Sequence, residues 1–213
     1  MSYKKYKANV YNVNMMHHIL DIAKDTDMYL PLLLCTTAGL RRGELLALRW
    51  EDIDFHKKLL KIRRNMVRGE DDYIIKAPKS EAGIRDICVG DEVIAYLNKE
   101  KIRYMTDMMA YGRGFQDLGF VIRQEDGSPI RPDSMSRKWR RFLEANSLPP
   151  IRFHDLRHYT VSVMLSLNIP KNYIADFVGH ETENMIDKVY GHIMQSRKTS
   201  VEDQMQDYFS KFL

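Results

Sequence analysis

Cysteine is scarce in this chain: Cys35 and Cys88 are the only two in 213 residues, and they form no CxxC pair. That spacing offers neither a disulfide framework nor a cysteine zinc site, and both thiols, set among apolar neighbours, are expected to be reduced and buried. A secretory leader is not legible either, because Met1-Ser2-Tyr3-Lys4-Lys5 runs into polar sequence and not into an apolar stretch. The longest apolar run, from Tyr29 to Cys35, is far too short to span a bilayer. Internal repeats, low-complexity linkers and a phosphate-binding P-loop are also missing. These gaps favour a cytoplasmic protein with no membrane partner. Neither sign of charge dominates: 33 Lys and Arg face 29 Asp and Glu, for a net charge of +4. A pI near 8.9 permits an anionic partner without demanding one. With 44% hydrophobic and 29% charged residues, the composition is globular, and the length suits one ordinary domain.

The periodicity predicts helices over 15–23, 28–37, 42–48, 91–103, 132–145, 154–167, 171–177, 184–190 and 196–212. Gly39 closes the second of these, and Pro132 and Pro170 sit where a first-turn proline is tolerated. Between 53 and 89 the pattern changes to short β-rich runs at 59–62, 73–75 and 84–89, separated by charged or glycine-bearing turns. A further short strand is read at 120–122. The expected fold is α+β and mainly α-helical, with a small three-stranded antiparallel sheet.

His154-Asp155-Leu156-Arg157-His158 is the densest chemistry in the chain. An imidazole and a guanidinium three residues apart share one face of a helix. Taken alone, His154 also reads as a cap or packed polar group, and His154 with His158 has the i,i+4 spacing of a metal pair. The aspartate after His154 and the missing third ligand count against metal. Arg41 follows a glycine turn and stands three residues before Glu44. It is either a surface arginine in an i,i+3 ion pair or a guanidinium held in place for use. His180 follows Gly179, and Tyr190 stands among twelve tyrosines.

In order, the chain presents Gly-Leu-Arg-x-x-Glu, a lysine in a β region, His-x-x-Arg, Gly-His and then tyrosine. This order resembles the catalytic domain of the tyrosine recombinases, the phage and transposon integrases. The resemblance runs from about 28 to 192, and the stretch from Leu45 through Arg49-Trp50 to Asp54 follows the family's run after the first arginine. It implies that Arg41 and Arg157 clamp a phosphate, that Glu44 orients Arg41 and that His154 and His180 assist. Lys79, in the hairpin before the Ser80–Gly83 turn, would protonate the departing 5′-oxygen, with Lys76 as the runner-up. Tyr190 would be the nucleophile, although it lies ten residues beyond His180, one more than is usual in the family. His192 and Tyr208 fit the order less well.

The implied activity is site-specific cleavage and rejoining of double-stranded DNA through a 3′-phosphotyrosyl link, with no metal, ATP or other cofactor, as in integration or excision of a mobile element. Alternatives of the same chemistry are resolution or topoisomerase-like relaxation. A different alternative is a silent DNA-binding protein of the same fold. Arg131, Arg137, Lys138, Arg140, Arg141 and Arg152 are expected to touch the DNA backbone. The expected organisation is a leader over 1–27, a catalytic core over 28–192 and an amphipathic helix over 193–213. That helix packs at home or, as the resemblance implies, on a neighbour in a tetramer on DNA, with directionality or DNA-bending proteins as further partners. The N-terminal DNA-binding domains of the family are expected to be absent from this chain.

Overall fold

The computed structural model describes residues 11–180 and residue 186. Helix α1 (Val13–Ala23) leads to α2 (Tyr29–Ala38), which is apolar on nearly every side and so lies at the centre of the molecule. Helix α3 (Arg42–Ala47), α4 (Asp91–Tyr111) and α6 (Asp155–Ser166) pack around it. Thr160 of α6 fastens that crossing by donating to the carbonyls of Cys35 and Thr36, both at 3.0 Å. Helix α7 (Lys171–Val178) packs on α6, and a small apolar cluster there includes the buried Ile186. Helix α5 (Pro132–Ala145) buries Met135, Trp139, Phe142 and Leu143 at helical spacing and leaves its basic side chains outside. Among the described residues no helix is long and apolar enough to cross a membrane.

A three-stranded antiparallel sheet is present, with a different membership from the expected one. Its strands are β1 (Ile53–Asp54), β2 (Leu59–Ile62) and β5 (Arg85–Cys88), with β2 in the middle. The run around Tyr73 is instead β4 (Tyr73–Lys76), paired with β3 (Asn65–Arg68) in a separate hairpin. Two arginines divide the sheets. Arg63 donates to the Arg85 carbonyl at 3.0 Å, and Arg64 reaches both oxygens of Asp52 at 2.7 Å. The chain therefore turns away after Ile62.

Period-two alternation decides the faces of β5. Its Ile87 pairs with Leu60 and its Arg85 with Ile62, so both point inward, while Cys88 points out. Cys88 is therefore exposed, contrary to expectation, whereas Cys35 is buried. The stretch at 120–122 is no strand: Phe120 makes one isolated bridge to Arg49. Helix α4 continues eight residues past Arg103, through Met105 to Ala110, until Gly112 ends it.

Candidate active site

Gly39 caps α2 in the left-handed conformation and sends the chain out to Arg41, just before α3. Glu44, one turn into α3, is 2% exposed. Its carboxylate accepts the Arg41 backbone N–H at 3.0 Å and Arg41 Nη1 at 2.7 Å. Arg41 is thus held in place, with its side chain still 33% exposed.

Two more guanidiniums meet the same carboxylate. Arg85 donates from Nη2 to Glu44 Oε2 at 3.0 Å and from Nη1 to Oε1 at 3.3 Å. Arg157, 2% exposed on α6, brings Nη1 to 4.0 Å from Oε2. Burial pushes the Glu44 carboxyl up, but the Arg85 hydrogen bond and the charges of Arg85, Arg41 and Arg157 outweigh it and hold the group below the usual carboxylate range.

The end of α7 organises these cations. Arg85 Nε donates to the Phe177 carbonyl at 2.8 Å, Arg157 Nη2 to the Val178 carbonyl, and Arg41 Nη2 to the Gly179 carbonyl at 2.7 Å. Arg157 also donates to the Gly39 carbonyl at 2.8 Å. The last carbonyls of a helix have no partner within it and carry the negative end of its dipole, so three consecutive ones make a natural seat for guanidiniums. Gly179 makes the approach feasible. Its φ is +69°, and a Cβ there would lie 2.7 Å from the Ala82 carbonyl oxygen. One carboxylate against three guanidiniums leaves two positive charges in excess.

The imidazoles flank this cluster, and burial lowers the pKa of both. His180 follows Gly179, donates its backbone N–H to Ala175 at 2.8 Å and has a buried Nδ1 with no hydrogen-bond partner among the described residues. Burial, followed by the charges of Arg157 and Arg41, pushes its pKa down to about 4. His154 stands at the start of α6. Much of it faces solvent, yet desolvation of its ring, then His158 and Arg157, push it down to about 4. Solvent contact limits that shift, but the ring stays neutral at neutral pH. His154 and His158 meet edge to face, their centroids 5.1 Å apart. Beneath them the fully buried Asp155 accepts the Arg152 backbone N–H at 3.0 Å and Arg152 Nη2 at 2.9 Å.

The structure therefore brings Arg41, Glu44, Arg157, His154 and His180 together. Lys79 stands just before the 80–83 turn between β4 and β5, as expected, but those strands belong to different sheets, so it lies on a connecting loop and not in a hairpin, exposed and without an ion pair among the described residues. Lys76 ends β4 opposite Asn65. Tyr190, His192, Tyr208 and residues 193–213 lie outside the described residues. Arg85 is the residue that sequence reasoning missed. Its signal was a charge at an inward-facing strand position, two residues from Ile87.

The basic residues of α5 differ in how they are engaged. Arg131 pairs with Asp72 at 2.8 Å, Lys138 with Asp27, Arg140 with Glu144 at 3.7 Å, and Arg137 donates to Ser134 at 3.0 Å. Arg131, Arg137, Lys138 and Arg141, with Gln124 and Ser134, line a cleft of about 450 Å³ that has no carboxylate in its lining among the described residues. Arg42, next to Arg41, hydrogen-bonds Ser136 on the same helix α5 that carries most of these residues. Another cavity, of about 490 Å³, lies between α2 and α4 and is lined by Asp27, Glu100, Asp107, Glu125 and Asp126 among others. Arg103, Arg123 and Lys138 line it as well, and Arg123 pairs with Asp107 at 2.7 Å.

In comparison with known proteins, the phage integrase family model matches residues 10–197. The chain is 26% identical over 189 residues to a tyrosine recombinase XerC-like protein of Caldanaerobacter subterraneus, covering 83% of this chain and 48% of that protein. It is 28% identical over 175 residues to the ICEBs1 integrase of Bacillus subtilis, covering 79% of this chain and 46% of the relative. The chain thus spans about half the length of these curated relatives. Among solved structures, the Tn1549 transposon integrase, in complex with transposon right end DNA, superimposes with a TM-score of 0.80 at 17% identity, over 95% of this chain and 68% of that one. That likeness shows the fold of a tyrosine recombinase catalytic domain.

Proposed function

We propose that this chain, which belongs to the phage integrase family, cleaves and rejoins double-stranded DNA at specific sites through a 3′-phosphotyrosyl link, in integration or excision of a mobile element. The observation that carries the reading is the convergence of Arg41, Arg85 and Arg157 on one buried carboxylate, which leaves a net positive cluster, partly exposed at Arg41, beside two imidazoles whose pKa burial lowers.

A phosphodiester placed there meets Arg41 and Arg157 at its non-bridging oxygens, where guanidinium forks stabilise the charge that builds in line. The Oη–P bond to Tyr190 forms as the P–O5′ bond breaks. The phenol proton passes to a neutral imidazole, His154 or His180, and Lys79 protonates O5′. A free tyrosine has a pKa of about 10, so nearby cations are needed to make its oxygen nucleophilic at neutral pH. One phosphoester replaces another, so resealing needs no ATP. The protein's cations take over charge stabilisation that metal ions provide in many phosphoryl-transfer enzymes.

On this reading residues 28–192 form the catalytic core. The cleft lined by Arg131, Arg137, Lys138 and Arg141 supports backbone phosphate contact. Arg140, exposed on the same helix, adds charge outside the cleft, and Arg152 acts mainly through its hold on Asp155. Two duplexes would be held by a tetramer.

The test uses a nicked duplex carrying the joined ends of the element that encodes the chain, with EDTA and no ATP. A denaturant-resistant protein–DNA adduct with wild type and none with Tyr190→Phe is the expected result. An adduct persisting in Tyr190→Phe would move the nucleophile to another tyrosine. Binding without any adduct would leave a silent DNA-binding protein.

A further inference from the structure

We infer that Arg85 is a positioning residue for the proton donor: it ties the 77–84 loop, and with it Lys79, to the carboxylate that orients Arg41. The inference rests on the recombinase reading of Lys79. Balancing Glu44 would need only the paired bonds from Nη1 and Nη2. Arg85 does more, because Nη1 also donates to the Gly83 carbonyl at 3.2 Å and Nε reaches the Phe177 carbonyl at 2.8 Å. With its side chain 7% exposed, one guanidinium therefore joins α3, the end of α7 and the lysine-bearing loop.

The loop is pinned at further points on either side of Lys79. Turn bonds run from Gly83 N–H to Ser80 at 3.0 Å and from Ile84 N–H to Glu81 at 2.8 Å. Pro78 sits so close to Gly83 that a Cβ on that glycine would lie 2.5 Å from the proline Cβ. The Ala82 carbonyl oxygen occupies the space that a Cβ on Gly179 would need. The backbone at Lys79 is therefore fixed relative to Arg41 and His180, while its exposed side chain remains able to swing to a leaving oxygen. A donor placed this way loses fewer degrees of freedom on reaching the transition state than one on an untethered loop.

The experiment compares two duplexes in single-turnover cleavage, one natural and one with sulfur in place of the bridging 5′-oxygen at the scissile phosphate. A thiol has a pKa of about 8.5, so it departs as the thiolate and needs no proton donor. Lys79→Ala should slow cleavage of the oxygen duplex by about 10²-fold or more and recover with sulfur. Arg85→Lys keeps the charge beside Glu44 but loses the fork. Gly83→Ala displaces Pro78 without touching Glu44. Both variants should lose about 10-fold or more with oxygen and recover with sulfur.

Arg85→Lys and Gly83→Ala slowing both duplexes equally, while Lys79→Ala recovers, overturns the Arg85 inference alone. Lys79→Ala failing to recover overturns the reading of Lys79, and the inference with it. Hydrogen exchange of the same proteins gives a readout that needs no cleavage. Amides of residues 79–84 should exchange about 10-fold faster in Arg85→Lys than in wild type. Unchanged exchange in that loop also overturns the inference.

Discussion

A carboxylate that is 2% exposed and faces three guanidiniums cannot become an amide without leaving buried positive charge uncompensated. Glu44→Gln should therefore cost about 3 kcal/mol or more, which lowers the melting temperature by roughly 6 °C or more in a domain of this size. Thermal unfolding of the two proteins checks this, and equal melting temperatures would refute it. The acid dependence follows from the same pairing. The folded Glu44 carboxyl is held below its unfolded value, so its stabilisation is present above the unfolded pKa and disappears as pH falls through the lower folded one. The imidazoles act earlier in an acid titration. With the folded value of His180 near 4 and that of His154 also lowered, the unfolded chain binds more protons than the folded one below about pH 6.5, so stability falls as pH drops from there towards 4. Imidazole NMR titration should find both rings neutral at pH 6; either one titrating at or above about 6.5 contradicts the desolvation argument. At this scale the sequence singled out Arg41, Glu44, His154, Arg157 and His180 through a motif order that resembles the recombinases, each being ambiguous on its own spacing. It did not single out Arg85, because Ile84-Arg85-Asp86-Ile87-Cys88 offers apolar residues in both phases of a strand, and only pairing with Leu60 and Ile62 selects one.

At the scale of elements, α2 and α6 form the frame, and the end of α7 is the seat of the cations. Thr160 links the frame through bonds to two carbonyls of α2. Thr160→Val preserves the shape and removes the donor, so it should destabilise by about 1–2 kcal/mol, measured by denaturant unfolding with an unchanged slope. A variant as stable as wild type would mean that packing alone holds the crossing. Most helix positions followed from periodicity, to within a residue or two at many ends. The strands did not follow in the same way. Tyr73–Lys76 has the composition of a strand that could join any edge, and the Arg63 and Arg64 contacts at the end of β2 steer the next strand into a hairpin of its own.

At the scale of the whole molecule, the cleft along α5 has cations as its only charged lining among the described residues, whereas the other cavity mixes five carboxylates with Arg103, Arg123 and Lys138. DNA held at the basic cleft should bind less tightly as salt rises, since each phosphate neutralised releases counterions. Arg137→Ala should weaken binding by a similar factor across DNA sequences and reduce the slope of log affinity against log salt by about 1. A filter-binding series over salt measures it. A loss confined to one DNA sequence would instead make Arg137 a base reader.

Several properties were decided by the sequence itself: the helical character of most of the chain, the glycine-led turn into Arg41, the basic outer face of α5 and the chain order of the site residues. All of these depend on neighbours a few positions apart, where backbone geometry dictates which side chains share a face. Only the tertiary structure decided that Arg85 joins Arg41 and Arg157 on Glu44 and that three guanidiniums cap consecutive carbonyls of α7. It also decided that Cys88 faces out and that burial lowers the pKa of the two imidazoles. These outcomes depend on ion pairing, strand register and loss of water between residues far apart in the chain, whose energies are set by approach distance and burial, not by local spacing.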